Sequence, residues 1–182
     1  MATKELTKKI RVSDSIHLKQ IQLSDSKDIF NTIDSQRSYL GKWLPFVELT
    51  RRLEDTEGFI TKMLENPTGN YVFVIHYNSK FAGLIGFKDT DSQNKKTEIG
   101  YWLSEKFQKK GIVTKSVQAL CKFAFEELEM NRIQLKCAER NFSSKKIPQR
   151  LGFVFEGIER DGELLTGGVF TDLEVYSKLR NE

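Results

Sequence analysis

Cysteine is scarce. The 182 residues hold two, Cys121 and Cys137, with no CxxC pair and no histidine at ligand spacing. A structural zinc site or a disulfide scaffold needs more cysteines, or clustered ones, so both read as reduced thiols in a core and no metal is expected. Histidine is equally rare. His17 and His76 each fall inside a predicted strand, where core or surface packing explains them better than base catalysis. Long hydrophobic runs are missing too: YVFVI at 71–75 is the strongest, far short of the roughly 18 residues a membrane span needs. The opening MATKELTKKIRVSD has Lys and Arg with no apolar stretch behind them, unlike a secretory signal. The expectation is a cytoplasmic protein that does not contact membrane. GxSxG, GxxxxGK[ST] and HExxH are also absent, which removes support for hydrolase, P-loop and zincin chemistry.

Only three prolines occur, and no stretch is repetitive or low in complexity. One domain over 1–182 is therefore expected, with 1–12 as a loosely ordered extension. The charge balance, 29 Lys+Arg against 25 Asp+Glu, gives +4. That suits an anionic ligand without demanding nucleic acid. YVFVIHY reads as a buried strand rather than an RNA-stacking platform, so no direct nucleic-acid readout is expected.

Periodicity supplies the element order. Ile16, Leu18 and Ile21 alternate in a first strand, and Ser24 or Asp25 caps a helix through Ile29, Phe30 and Ile33, which YLGKWLPF breaks. A second helix spans 52–65, with Leu53, Phe59, Ile60, Met63 and Leu64 apolar, and stops before Asn66 and Pro67. Strands follow at 71–77, 81–88 and 96–104. From Gly111, Val113, Val117, Leu120, Ala124 and Leu128 mark one helical face. RIQLKCA is a strand, Asn141 to Leu151 a helix closed by Gly152, and 153–160 and 169–178 the last strands. This order predicts an α/β (α+β) domain: a mixed, largely antiparallel, twisted sheet of about seven strands flanked by about four helices.

The chemistry concentrates between the strand ending near Ser104 and the helix starting near Gly111. A loop entering a helix leaves backbone N–H groups unpaired, and with the helix dipole these favour a bound phosphate. Lys109, Lys110 and Lys115 add positive charge, and Gly111 permits close approach or a positive φ. A charged loop with one glycine can equally be a solvated connection. Further on, Asn141, Ser143 and Ser144 are residue types that cap helices.

LGKWLPF, EIGYWLSEKFQKKGIVT, LEMNRIQLKCAERN, NFSSKKIPQRLGF and LGFVFEG, taken in order, resemble the GNAT (GCN5-related N-acetyltransferase) superfamily. Within it the chain is similar to the RimJ/RimL type of protein N-terminal acetyltransferase, over nearly its whole length. The resemblance implies that the Q/RxxGxG/A motif, here Gln108, Lys109, Lys110, Gly111, Ile112 and Val113, binds the pyrophosphate of acetyl-CoA through main-chain N–H groups, continuing to Thr114. Val113 replaces the usual Gly or Ala, so its side chain must turn from the phosphate. A splayed strand from Tyr101 through Trp102 and Leu103 to Ser104 would pair with the pantetheine arm, the Tyr101 and Trp102 side chains themselves reading as ordinary sheet packing.

The resemblance also implies that Asn141 contacts pantetheine and that Ser144 stands near the thioester sulfur. Many relatives place a Tyr four residues before the GF pair to protonate the leaving thiolate. Here that position is Pro148, which makes Ser144 the candidate for the role, with helix capping as the alternative. The candidate bases are Glu98, on the EIGYW strand, and Glu163, in DGELLTGG, where the RimL type carries a carboxylate. Either would act best with a raised pKa.

An α-amine with a pKa near 7.7 to 8.0 is roughly 10 to 20% neutral at pH 7, and a lysine near 10.4 only about 0.04%. A site with weak base candidates therefore suits α-amines. The expected activity is acetyl transfer from acetyl-CoA to the N-terminal α-amine of a protein such as a ribosomal protein, by direct attack and without an acyl-enzyme on Cys121. Alternatives are a small-molecule acetyltransferase, with Glu48, Glu54, Asp55 and Glu57 as an acidic patch for polyamines, or a noncatalytic CoA-binding module. Homodimerisation is left open.

Overall fold

The structure, a computed structural model, describes residues 9–65 and 71–182. Eight strands form one sheet: β1 (Lys9–Arg11), β2 (Ile16–Gln20), β3 (Val72–Tyr77), β4 (Lys80–Asp91), β5 (Lys96–Leu103), β6 (Arg132–Ala138), β7 (Val154–Leu165) and β8 (Val169–Leu179). Their spatial order is β1-β2-β3-β4-β5-β6-β8-β7. Every pairing is antiparallel except β5 with β6. The helices are α1 (Ser26–Ser35), α2 (Arg37–Leu40), α3 (Phe46–Leu49), α4 (Leu53–Glu65), α5 (Ile112–Glu126) and α6 (Phe142–Arg150).

Strand alternation sends successive side chains to opposite faces, and each face has its own core. On one, Phe73, Ile75, Ile85, Phe87 and Ile99 meet Ile112, Val117, Leu120 and Ala124 of α5 and Ile147 of α6. On the other, Val74, Leu84 and Trp102 meet Ile29 and Ile33 of α1, Leu40, Val47 and Ile60. The result is a three-layer α/β domain with the sheet in the middle.

Four details differ from the sequence reading. Lys9–Arg11, inside the expected loose extension, pairs with Lys19–His17 on the sheet, and Ile10 and Val12 pack on the first core; residues 1–8 lie outside the described part. YLGKWLPF ends α1 by supplying parts of two further short helices, with Pro45 as the N-cap of α3. Phe59 and Leu64 are exposed while Ile60 alone is fully buried, so the apolar stripe of α4 is narrower than its composition suggests. Asn66 and Pro67 lie outside the described residues. The last hairpin is longer than expected, which places Glu163 in strand β7 rather than in a loop.

Gly83 fixes how closely β4 and β5 approach. A Cβ there would sit 2.1 Å from the Trp102 carbonyl oxygen and 2.9 Å from Leu103 Cα. Backbone is on the receiving side, so no side-chain rotation relieves the clash. Gly83→Ala is expected to cost about 3 kcal/mol or more, read as a fall in Tm by differential scanning fluorimetry.

Candidate active site

β5 pairs with β6 only over Lys96–Glu98 against Arg132–Gln134. Beyond Glu98 the two strands part, and the edge of β5 from Ile99 to Leu103 loses its neighbour. Since backbone N–H and C=O groups need partners, this opening can take an extended ligand running alongside β5. It leads into an open cleft of about 520 Å³.

At one end of the cleft is the loop that carries β5 into α5. Ser104 is fully buried; its N–H donates to the Ala82 carbonyl (2.8 Å) and its Oγ accepts from Gln36 Nε2 (2.9 Å). The same Gln36 amide accepts the Glu105 N–H at 2.9 Å, so the α1–α2 junction clamps the loop at its start. One 3-10 turn buries Phe107 edge-on against Tyr77, and Gln108 Nε2 donates to the Tyr39 hydroxyl. Lys109 then adopts φ 61° and Gly111 φ 70°, and Gly111 is the N-cap of α5. No side chain caps this helix. The N–H groups of Ile112, Val113 and Thr114 have no helical acceptor, and the helix dipole adds partial positive charge where they point. Val113 is half-buried against the first core.

Trp102, Leu103, Gln108, Lys109, Lys110, Gly111, Ile112, Val113, Thr114, Asn141 and Ser144 all line this cleft, while Ser104 is buried behind it. Tyr39, Trp43, Lys146 and Arg150 line it too, and among the described residues no Asp or Glu does. A wall with several cations and no carboxylate suits a polyanion. Lys110 holds its ammonium 5.3 Å from the Tyr77 ring centroid, at the outer edge of the loop. Trp102 buries its ring in the second core, tilted against Phe81, in keeping with a packing role for the side chain. Gln36 and Tyr39, which brace the loop, carry no local signal in the sequence: their partners lie 68 and 69 residues away.

At the other end stands the start of α6. Asn141 is the N-cap, its Oδ1 accepting the Ser144 N–H at 3.2 Å. Ser144 does not use its hydroxyl for capping. Its Oγ lies 2.8 Å from the Tyr101 hydroxyl and 3.3 Å from Cys137 Sγ. Burial raises the pKa of Cys137, and burial likewise pushes Cys121 up to about 12, so both remain protonated thiols without nucleophilic character near neutrality.

Glu98 and Glu163 do not line the cleft. Glu98 lies at the apex of the β5–β6 opening, 5% exposed, its Oε1 2.8 Å from Lys88 Nζ and its Oε2 3.4 Å from Gln134 Nε2. It is a buried, paired carboxylate. Glu163 is exposed and has no ion pair or hydrogen bond to any described residue. Its pKa is raised, first by desolvation of the carboxyl and then by the charge of Glu98; Lys88 and Lys136 oppose the rise. Lys136 is itself paired with Glu159 at 2.7 Å. Three carboxylates and two lysines thus share this face, leaving it a surplus of negative charge. Among the described residues no group of three or more His, Cys, Asp and Glu could hold a metal ion, and no helix is long and apolar enough to cross a membrane.

The family model of the acetyltransferase (GNAT) domain matches residues 15–154. The chain belongs to the GNAT acetyltransferases. It is 32% identical over 187 residues to YdaF of Bacillus subtilis strain 168, by name a provisional ribosomal N-acetyltransferase, covering 94% of this chain and 95% of the relative. Among solved structures it is similar to the RimL acetyltransferase of ribosomal L7/L12 α-amines in complex with CoA, which is held there as a disulfide to one of that protein's cysteines. The match has TM-score 0.89, 25% identity and coverage of 94% and 97%. It is also similar to MccE, a microcin C7 self-immunity acetyltransferase bound to acetyl-CoA and AMP, with TM-score 0.87, 31% identity and coverage of 93% and 95%. In this GNAT domain, then, a basic cleft runs along the freed edge of β5, and a carboxylate cluster begins at the apex of the β5–β6 opening, outside the cleft lining.

Proposed function

We propose that this enzyme transfers the acetyl group of acetyl-CoA to the N-terminal α-amine of a protein, in the cytoplasm, with a ribosomal protein as acceptor. The observation that carries the reading is the unpaired carboxylate of Glu163, close to Glu98 at the apex of the β5–β6 opening and outside a cleft fit for a polyanionic thioester. The names of YdaF and RimL support a ribosomal acceptor, and the bound CoA of RimL and MccE supports the donor.

The geometry supports the following roles. The free N–H groups from Lys109 to Thr114 take the pyrophosphate, with Lys109 adding charge. The freed edge of β5 at Trp102 and Leu103 pairs with pantetheine, to which Asn141 offers its remaining amide donors. Glu163, exposed and near the charge of Glu98, attracts the acceptor's ammonium and removes its proton. Glu98 spends its charge on Lys88, which leaves Glu163 as the base. The neutral amine attacks the thioester carbonyl directly. As the C–S bond breaks, its electron pair stays on sulfur, and the Ser144 hydroxyl hydrogen-bonds to that sulfur and passes it a proton, while the second proton, shed by the acylated nitrogen, returns to Ser144 through water in the cleft.

A free thiol has a pKa near 8.5, so a thiolate leaves readily even without help. Ser144→Ala is accordingly expected to lower kcat by about tenfold, a modest share of what general acids deliver, and to leave the KM for acetyl-CoA nearly unchanged. Unaltered kcat with reduced Tm would assign Ser144 to structure alone.

MccE gives weight to a second reading, a small-molecule amine as acceptor, since that relative binds AMP beside acetyl-CoA. Polyamines fit less well. Asp55 of the proposed acidic patch is already engaged, accepting the N–H groups of Arg51 and Arg52 at the start of α4. Release of CoA thiol from acetyl-CoA, measured against N-terminal peptides, aminoacyl nucleotides, aminoglycosides and polyamines, separates these readings. Turnover is expected with the peptides; turnover with a small amine alone would replace the protein acceptor, and binding without turnover would indicate a noncatalytic module.

A further inference from the structure

We infer that Tyr101 is a positioning residue for Ser144, its phenol O–H donating to Ser144 Oγ so that the serine's own proton faces the cleft where the thioester sulfur departs. This rests on the role of Ser144 proposed above.

A helical carbonyl accepts from the N–H four residues later, and for Ser144 that residue is Pro148, which has no N–H and whose ring crowds the same carbonyl. The first turn of α6 is therefore short of a donor where Ser144 sits. Tyr101 reaches it from β5, with its hydroxyl 2.8 Å from Ser144 Oγ and 3.5 Å from the Ser144 carbonyl oxygen. A phenol has one proton. At these distances the contact with Oγ is the hydrogen bond and the other a long electrostatic contact.

The direction of that bond is the decisive point. Burial raises the pKa of the Tyr101 phenol, and the nearby Cys137 adds to the rise, so the group stays neutral with a proton to place. A buried hydroxyl left without an acceptor would pay a desolvation cost, and Ser144 Oγ is the acceptor at normal distance. With that lone pair taken, the serine proton has two directions, toward Cys137 Sγ at 3.3 Å or into the cleft. Cys137 is a neutral thiol and a weak acceptor. A sulfur gaining negative charge as it leaves carbon is a much stronger one, so the bond into the cleft strengthens as the reaction proceeds. Tyr101 keeps its proton throughout. Pro148 thus leaves the Ser144 carbonyl without its helical donor, and the Tyr101 hydroxyl of β5 lies against that turn with its proton on Ser144 Oγ.

The test compares Tyr101→Phe, Ser144→Ala and the double variant. Phe keeps the ring and removes only the oxygen. Tyr101→Phe is expected to lower kcat by about three- to tenfold, the value of one hydrogen bond, with the KM for acetyl-CoA and the CoA-induced thermal shift unchanged. Since Tyr101 acts through Ser144, the double variant should be no slower than Ser144→Ala alone. Losses that multiply, or wild-type kcat in Tyr101→Phe beside an impaired Ser144→Ala, would overturn the inference and leave the role of Ser144 standing. Wild-type kcat in Ser144→Ala would overturn both. Loss of the CoA shift in Tyr101→Phe would assign the residue to the fold and overturn the inference.

Discussion

Glu163→Gln should depress kcat by about 10² to 10⁴ at pH 7, the range general-base assistance supplies, with a deficit that narrows as pH rises and the acceptor amine becomes neutral unaided. The structure adds the acid side of that profile. Desolvation and the charge of Glu98 raise the pKa of Glu163, so its base form is complete only above the ordinary glutamate range, and the wild-type rate should fall at a pH higher than a free carboxylate would dictate. The sign for stability is the reverse of a salt-bridged acid. A raised folded-state pKa means that the native protein binds the proton more tightly than the unfolded chain, so ionised Glu163 contributes no stability at neutral pH. Glu163→Gln should therefore leave Tm unchanged or slightly higher. Glu98→Gln should differ on this point, because it removes the buried carboxylate that holds the Lys88 ammonium, and should lower Tm. A Glu163 deficit independent of pH would move the residue from base to ammonium holder, and full activity across pH would leave the mechanism to substrate positioning.

The second large effect is expected at Gly111. It carries φ 70°, and an added Cβ would meet nothing within 4 Å, so a larger residue is refused by backbone conformation and not by lack of space. A β-branched residue in the left-handed region costs at least about 1 to 2 kcal/mol. The chain relieves that strain by turning the amides at the N-terminus of α5, which are the groups proposed to hold pyrophosphate. Gly111→Val should thus weaken CoA binding by tenfold or more, each 1.4 kcal/mol being about a factor of ten, and reduce the thermal shift CoA produces. Because α5 is anchored by Val117, Leu120 and Ala124, all fully buried, the domain itself should stay folded. Unchanged CoA affinity would remove the loop from the donor site.

The sequence displayed those parts of the fold whose signals are local and repeated. The α5 face from Val117 to Ala124 and the alternation of β3, β4 and β5 emerge because burial imposes a period on consecutive residues. Lys9–Arg11, α2 and α3 are three or four residues long, too short for any period to show, and they form because the sheet edge and the second core accept them. At the site, the glycine loop and the Asn141–Ser144 pair were legible as motifs because their chemistry lies within a few residues. Their supports were not. Gln36 on Ser104 and Tyr39 on Gln108 join positions far apart in sequence, and Tyr101 on Ser144 does the same across 43 residues. The pairing of Glu98 is likewise invisible locally, since its partner Lys88 lies on the neighbouring strand.

The most direct test of the account is to locate the transferred group. Ribosomal proteins stripped from the particle would be incubated with the enzyme and isotopically labelled acetyl-CoA, digested, and mapped by mass spectrometry. The account predicts label on the α-amine of an N-terminal peptide, abolished by prior blocking of that amine and strongly reduced with Glu163→Gln. Label confined to lysine side chains, or none on protein while a small amine accepts it, would contradict it.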